Sequence, residues 1–231
     1  SRECLVLLKN KDNTLPLGDS YHHIAVIGPN ANSSNYVSTH YGPSDYKGFV
    51  SVYQGLKKIY ADRKDITVDY AKGIDIVSKG WPENELIRDT LSTAEQQMVK
   101  EAVDLAKKSD VVVAVLGDGP QTSGESRTRT SLDLPGHQEE LLEALVKTGK
   151  PVVLVLMWGR PATINYAQKY CPAILAAAFS CCYCSGKDPY PSGRKVSTLI
   201  TASGCSLRTI SNPKRNLLIS SSSLTCGAPG A

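Results

Sequence analysis

The chain has 231 residues, 41% of them hydrophobic and 21% charged, a composition typical of a globular protein with one large or two small domains. Its net charge of +4, without a long basic run, is too small to indicate nucleic-acid binding, and no apolar stretch approaches the roughly 18 residues that a membrane span needs. Because the chain begins at Ser1 and not at a methionine, we expect the natural start to lie upstream. The lack of a signal peptide therefore says nothing about location.

The first half of the chain is predicted to alternate between helices and strands. Residues 2–8 predict a short helix, followed by a turn-rich link. Regions 30–48 and 72–86 are polar or irregular and predict loops. Apolar periodicity further predicts a buried strand at 24–30, a helix at 52–60, an alternating strand at 66–70, and a helix at 94–108 capped by Thr93.

The strand at 24–30 ends at Gly28 and Pro29, which allows two interpretations. A glycine after a buried strand is typical of a nucleotide-binding turn. However, the Gly-x-Gly-x-x-Gly pattern is absent, and Pro29 lacks the N–H that a phosphate would bind. A structural strand end is the favoured interpretation.

The loop at 30–48 also has two interpretations. It combines aromatic rings with polar side chains, namely His40, Tyr41, Asp45 and Tyr46. Such a set can form a sugar-binding wall, because rings cover the apolar face of a pyranose. An ordinary surface loop is slightly favoured.

The second half continues the alternation. Five consecutive apolar residues, 111–115, predict a strand that is buried on both faces and ends at Gly117. A helix at 139–148, a strand at 152–157, a short helix at 164–169 and a strand at 173–178 follow. Repeated strand–helix–strand units predict an α/β fold: a mostly parallel sheet with helices on both faces, an α/β sandwich.

A long loop joins the strand ending at Gly117 to the helix at 139–148, and it carries Glu125, Arg127 and Arg129. Ligands of open α/β sheets bind at this edge, beyond the carboxyl ends of the strands. A carboxyl flanked by cations can be a general acid, a ligand clamp or a surface salt bridge. Spacing alone favours the surface salt bridge, since most loop charges are simply solvated.

Cysteines and serines mark the end of the chain. Of seven cysteines, six lie at or beyond residue 171, and their spacing matches no metal site known to us. Unpaired thiols are therefore favoured over a zinc site. Beyond Asp188 the chain has no acidic residue and no clear periodicity, so residues 180–231 are predicted to be a poorly folded or artificial tail, with a serine-rich linker as the alternative.

Four motifs, in order along residues 1–179, carry a family resemblance. Residues 2–17 are similar to "RESIVLLKN…LPL", residues 24–31 to a first strand, residues 132–138 to "LxLPGxQ" and residues 150–161 to "KPVVLVLxxGRP". Together they resemble the second, C-terminal-side α/β domain of glycoside hydrolase family 3, which contains β-glucosidases and β-xylosidases.

The resemblance implies a retaining glycosidase without cofactor or metal. In the family, an upstream (β/α)8 barrel supplies an aspartate nucleophile, and a glutamic acid of the second domain commonly serves as acid/base. The local pattern is Glu, three residues, Arg, then "LxLPGxQ", and Glu125 and Arg129 match it. The resemblance therefore implies Glu125 as acid/base. Thr128 stands where an aspartate is common.

The same resemblance marks further site residues. Some members have a glutamate where Asp118 stands, so Asp118 is the second choice for acid/base, and it is expected to bind substrate together with Arg127 and Arg129. A retaining mechanism needs two carboxyl groups about 5 Å apart, and the acid must keep its proton near neutral pH. Both arginines would oppose this if they faced Glu125. At least one is expected to turn away, towards Asp133 or substrate hydroxyls.

The sequence also departs from the family pattern. No barrel precedes Ser1, so we expect the isolated chain to be inactive, with the barrel of the same enzyme and a β-linked glucoside or xyloside as its partners. After residue 179 the glycine-rich loop and helix of the family are missing, and 191–194 is only a faint echo of the motif that follows. A reading-frame error near residue 179 would explain this boundary between a domain at 1–179 and a tail at 180–231. The family implies a periplasmic or secreted enzyme; the alternative function is a non-catalytic sugar-binding or structural domain.

Overall fold

The computed structural model describes residues 5–33 and 50–178. Within these residues, six strands form one sheet in the order β1-β6-β5-β4-β2-β3, together with four α-helices. Short 3-10 turns lie at Lys11–Asn13 and Glu83–Glu85. The elements are β1 (Leu5–Asn10), β2 (His23–Ile27), α1 (Val52–Ile59), β3 (Thr67–Ala71), α2 (Thr93–Lys108), β4 (Val111–Gly117), α3 (Gln138–Val146), β5 (Val152–Trp158), α4 (Asn165–Tyr170) and β6 (Ala173–Ala178).

The sheet is mostly parallel and has a hydrophobic core on each face. Strands β3, β2, β4, β5 and β6 pair in parallel, and β1 pairs with β6 in the antiparallel direction. One core contains Val52 and Leu56 of α1, and the other contains residues of α2, α3 and α4. Every residue of β4 is buried, as expected for a strand covered on both sides. The predicted α/β sandwich is confirmed.

The predicted helix at residues 2–8 is wrong, because the described part of this segment is strand β1. Leu5 and Leu7 are buried while their neighbours are less so, which is the two-residue period of a strand. The segment is paired along the edge of β6, with Leu5 opposite Ala177. Backbone pairing at this edge outweighs the weak local preference for a helix.

The cap of α2 also differs from the prediction by one residue. Ser92, and not Thr93, is the N-cap: its hydroxyl accepts a hydrogen bond from the N–H of Glu95, whose carboxylate accepts one from the N–H of Ser92. This reciprocal capping box satisfies two backbone donors that would otherwise be unpaired, so it fixes where the helix begins. The other helices and strands lie close to their predicted positions.

Gly28 follows β2, where it has a structural role. Its φ angle is 135°, and a Cβ atom at this position would lie 2.1 Å from the backbone oxygen of Val115 in β4. Only glycine permits so close an approach. The strand-end interpretation therefore accounts for this residue without a nucleotide.

Several predictions concern residues outside the described ranges. The aromatic loop with His40, Tyr41, Asp45 and Tyr46 lies there, as do the tail at 180–231 and every cysteine except Cys171, which is a buried free thiol. Among the described residues, no helix is both long and apolar enough to cross a membrane.

Candidate functional site

The candidate site lies at the end of β4, in the segment 118–137, which we call the site loop. At Gly117, the last residue of β4, the backbone lies close against β5. Its φ angle is 139°, and a Cβ atom there would lie 2.0 Å from the backbone oxygen of Met157. The N–H of Asp118 then donates to the same Met157 oxygen at 2.8 Å. The site loop therefore starts from a fixed point at the carboxyl edge of the sheet.

Asp118 is buried at the base of the site loop, with only 3% of its surface exposed. Its Oδ1 accepts a hydrogen bond from the Thr122 hydroxyl at 2.9 Å and lies 3.6 Å from Nη1 of Arg129. Its Oδ2 lies 3.9 Å from Nε of Arg160. A carboxylate between a hydroxyl and two guanidinium groups is suited to anchoring the loop.

Arg129 is turned into the protein. Its side chain is 6% exposed and forms an ion pair with Glu85, while its Nη2 donates to the backbone oxygen of Asp133 at 2.9 Å. Its guanidinium also lies 5.5 Å from the ring centre of Trp81, a cation–π distance. The expectation that at least one arginine turns away from Glu125 agrees with these contacts, and the Asp133 partner is the backbone carbonyl.

Glu85 is the acidic partner of this arginine. It accepts hydrogen bonds from Arg129 and, at 3.0 Å, from the backbone N–H of Thr130. Burial by itself raises the pKa of Glu85, but these hydrogen bonds outweigh it and hold the pKa below its ordinary value. Glu85 is therefore a charged carboxylate at neutral pH.

Glu125 lies at the tip of a tight turn and is exposed. Gly124 and Ser126, on either side of it, have positive φ angles of 133° and 59°, and the N–H of Arg127 donates to the oxygen of Gly124 at 3.3 Å. Within the described part of the chain, the carboxyl of Glu125 has no hydrogen bond or ion pair, and the Arg127 side chain is also exposed. The turn presents an unengaged carboxyl to its surroundings.

The connection between β5 and α4 holds the site loop from the other side. Arg160 donates to the backbone oxygen of Thr122 and, at 3.3 Å, to that of Arg127. The Thr163 hydroxyl donates to the Asp133 carboxylate. The hydrogen bonds to Asp133, led by that of Thr163, lower its pKa. The loop is therefore anchored on both sides of the turn that carries Glu125.

A small open cavity, with an enclosed volume of about 10 Å³, lies beside these anchors. Its lining includes Asp118, Arg129, Asp133, Trp158 and Arg160. An enclosed volume of about 10 Å³ is close to the least that one water molecule needs, so this cavity by itself is too small for a sugar. Chemically, the arrangement offers one exposed carboxyl, which can donate or accept a proton, supported by a rigid layer of buried ion pairs.

Sequence reasoning missed two of the anchoring residues. Glu85 lies in a segment that was predicted only to be irregular, and no local pattern connects it to Arg129. Arg160 lies in the Gly-Arg-Pro end of a family motif, so the sequence identifies the residue. It does not predict the hydrogen bonds from Arg160 to the site loop. Glu125 and Arg129 share one loop, as predicted, but their side chains have different surroundings.

Comparison with known proteins decides the family. The model of the glycosyl hydrolase family 3 C-terminal domain matches residues 5–181. The chain belongs to this family. Within glycoside hydrolase family 3, the chain is 40% identical over 184 residues to a β-xylosidase of Formosa agariphila and 38% identical over 192 residues to a periplasmic β-glucosidase of Salmonella typhimurium.

These relatives are much longer than the chain. The two matches cover 76% and 78% of this family 3 chain but only 23% and 24% of the relatives. A solved β-glucosidase structure from Erythrobacter marinus matches with a TM-score of 0.67 and 32% identity, over 87% of this chain and 27% of its own. A family 3 exo-β-xylosidase bound to a xylobiose aziridine probe matches with a TM-score of 0.66 and 27% identity, over 85% of this chain and 22% of its own.

Proposed function

We propose that this domain supplies the acid/base residue, Glu125, of a retaining β-glycosidase that hydrolyses β-glucosides or β-xylosides. The observation that carries the proposal is the exposed and unengaged carboxyl of Glu125 on a turn that buried ion pairs hold in place. A catalytic acid needs this combination, because it must reach a substrate and must also be accurately positioned. The names of the relatives, β-xylosidase and β-glucosidase, support the substrate class.

The proposed reaction has two steps. An aspartate of an upstream barrel attacks the anomeric carbon while the Glu125 carboxyl gives its proton to the departing glycosidic oxygen. Glu125, now a carboxylate, then takes a proton from water as the water attacks the glycosyl-enzyme and releases the sugar. Arg127 is exposed and can reach substrate hydroxyls. Asp118 and Arg129 are largely buried, so we propose that they act on substrate mainly by fixing the loop.

The domain surface around the turn suits a covering domain. Leu86 and Ile87 are 73% and 82% exposed, and Leu132 of the site loop is 55% exposed. The hydrogen bonds of Glu85 hold the first pair close to the site loop. We propose that an upstream barrel covers this region. Removal from water and the negative charge of the nucleophile would then favour the protonated form of Glu125. Without a barrel and its nucleophile, the isolated chain is expected to be inactive.

One relative also supports a proposal for the location of the enzyme. It is the periplasmic β-glucosidase. We propose that the complete enzyme is periplasmic or secreted. Activity recovered in the soluble cytoplasmic fraction of the source cells, and not in the periplasmic extract or the medium, would contradict this.

The test uses a longer enzyme in which residues 5–178 replace the matching segment of the Formosa agariphila β-xylosidase. Glu125→Ala should slow hydrolysis of substrates with poor leaving groups by 10²-fold or more, while good leaving groups still form the glycosyl-enzyme. Azide should restore turnover and yield a glycosyl azide, because a small anion can attack without a general base.

The matched control is Glu101→Ala, which removes an exposed glutamate from helix α2, outside the site loop and residues 78–89. It should keep wild-type kinetics with both classes of leaving group. Loss of activity in Glu125→Ala without azide rescue would favour the non-catalytic sugar-binding or structural alternative.

A further inference from the structure

One short segment, residues 78–89, contacts the buried Arg129 of the site loop, and we call this segment the brace. It crosses from the region after β3 towards α2 and includes the 3-10 turn Glu83–Glu85. From it, Glu85 binds Arg129 and the N–H of Thr130, and Trp81 lies against the Arg129 guanidinium. The side chains of Glu85 and Arg129 are only 8% and 6% exposed, so this contact is shielded from water.

The brace has its own attachment to the fold. Asp89 lies 3.1 Å from Nε2 of His137 and accepts a hydrogen bond from Asn84 at 3.2 Å. The other ring nitrogen of His137 lies 3.2 Å from Oε1 of Glu140 in α3, and the His137 side chain is 3% exposed. Both ring nitrogens of His137 therefore face carboxylates, one on the brace and one on α3. Arg88 of the brace also lies 4.0 Å from Oε1 of Glu140 in α3, so the position of Glu85 does not depend on the site loop alone.

The guanidinium of Arg129 is surrounded by charges from several elements. Glu85 comes from the brace and Asp118 from the end of β4, at 3.6 Å. Asp133 of the site loop accepts a hydrogen bond through its backbone oxygen, and its carboxylate interacts electrostatically with Arg129. Arg160, on the connection after β5, lies 3.9 Å from the other carboxylate oxygen of Asp118. Further out, Arg88 of the brace acts electrostatically on Asp133. Of the acidic partners of Arg129, Glu85 makes its closest side-chain contact.

Only three residues separate Arg129 from Glu125, whose nearest charged neighbour in the chain is Arg127. A guanidinium within about 6 Å of a carboxyl favours the carboxylate form, which opposes the work of a general acid. If Glu85 lost its charge, Arg129 would keep the more distant Asp118 carboxylate, which it shares with Arg160, and its electrostatic interaction with Asp133. Glu125 has no ion pair within the described residues and lies four positions before Arg129 on the same loop, so it is one of the carboxyls that the released guanidinium can approach.

We propose that Glu85 is a positioning residue that sequesters Arg129 and so keeps its guanidinium away from Glu125. This inference rests on the proposed acid/base role of Glu125. The brace thereby prevents an ion pair between the catalytic acid Glu125 and Arg129, which lies on the same loop. Trp81 covers part of the same guanidinium and adds to its retention.

The experiment measures the pH dependence of kcat/KM in the longer enzyme described above. The alkaline limb reports the loss of the proton from the catalytic acid. Glu85→Gln keeps the shape of the side chain but removes its charge, and it should move that limb to lower pH by about one unit. The double variant Glu85→Gln/Arg129→Gln should move it back, because the released cation is gone.

The matched control is Glu83→Gln, in the same 3-10 turn, which changes an exposed glutamate and should leave the limb in place. Glu85→Asp keeps the charge on a shorter side chain, so it should shift the alkaline limb in the same direction but by less. If Glu85→Gln does not fold, the shift in Glu85→Asp tests the proposal. An alkaline limb at the wild-type position in every folded Glu85 variant, even with reduced kcat/KM, overturns the proposal.

The two proposals fail in distinguishable ways. If Glu85 has only a structural role, azide still rescues Glu125→Ala and only the pH shift is missing. If Glu125 is not the acid/base, the azide rescue itself is missing.

Discussion

The side-chain amide of Gln138 pairs with both polar groups of the Gly117 peptide unit. The N–H of Gly117 donates to Gln138 Oε1 at 2.8 Å, and Gln138 Nε2 donates to the Gly117 oxygen at 2.9 Å. The same Nε2 lies 3.2 Å from the backbone oxygen of Ile76. Gly117 immediately precedes the site loop and Gln138 immediately follows it, so this fully buried pair closes the loop at its base.

Gln138→Glu should lower the free energy of unfolding by about 3 kcal/mol, measured by urea denaturation at pH 7. A carboxylate can still accept from the N–H of Gly117, but it cannot donate to the oxygens of Gly117 and Ile76, which would be left unpaired next to a buried charge. Gln168→Glu, on an exposed face of α4, is the control and should change stability by less than about 0.5 kcal/mol. Equal effects of the two changes would show that the amide pairing carries no special energy.

Gly117→Ala should be still more damaging, because the new Cβ atom would meet the Met157 backbone, which cannot move without separating β4 from β5. We expect a loss of more than about 3 kcal/mol or failure to fold.

Gly149→Ala separates this clash from the cost of backbone conformation. Gly149 also has a positive φ angle, 76°, but a Cβ atom there would meet no atom within 4 Å. It should cost only about 1 kcal/mol in the same unfolding measurement. Comparable losses at both positions would mean that the close approach of β4 and β5 is unimportant.

These relationships show which parts of the structure the sequence can predict. Apolar runs such as 111–115 and 152–156 predict buried strands, because they are rich in β-branched valine and shorter than a typical buried helix. The β1 segment was misassigned because it is short, and its partner β6 lies more than 160 residues further along the chain.

The candidate site likewise has one part that the sequence predicts and one part that it does not. The spacing of Glu125 and Arg129 is local, so a family pattern could capture it. The partners of Arg129 are not local: Glu85 is 44 residues away, and Arg160 reaches the backbone of Thr122 across 38. No periodicity encodes such contacts, because they exist only after the sheet brings three loops to one edge.

Cys171 provides a test of the core in alkaline solution. The thiol is fully buried among apolar side chains, and this burial raises its pKa from an ordinary value near 9.0 to about 12, with a small opposing effect from Lys9. Above pH 9 the unfolded chain loses this proton while the folded protein keeps it. The folded state therefore binds more protons between pH 9 and pH 12, and stability must fall as the pH rises through that window.

Cys171→Ala removes this dependence. The smaller side chain lowers stability by an amount that does not vary with pH, whereas the wild-type protein should lose up to about 1.4 kcal/mol more than the variant for each pH unit above 9. The measurement is urea unfolding under reducing conditions at pH 8, 9 and 10. The other ionisable groups are common to both proteins, so they cancel in the difference. Parallel pH curves for the two proteins would mean that the buried thiol ionises as readily in the folded state as in the unfolded chain, against its position in the core.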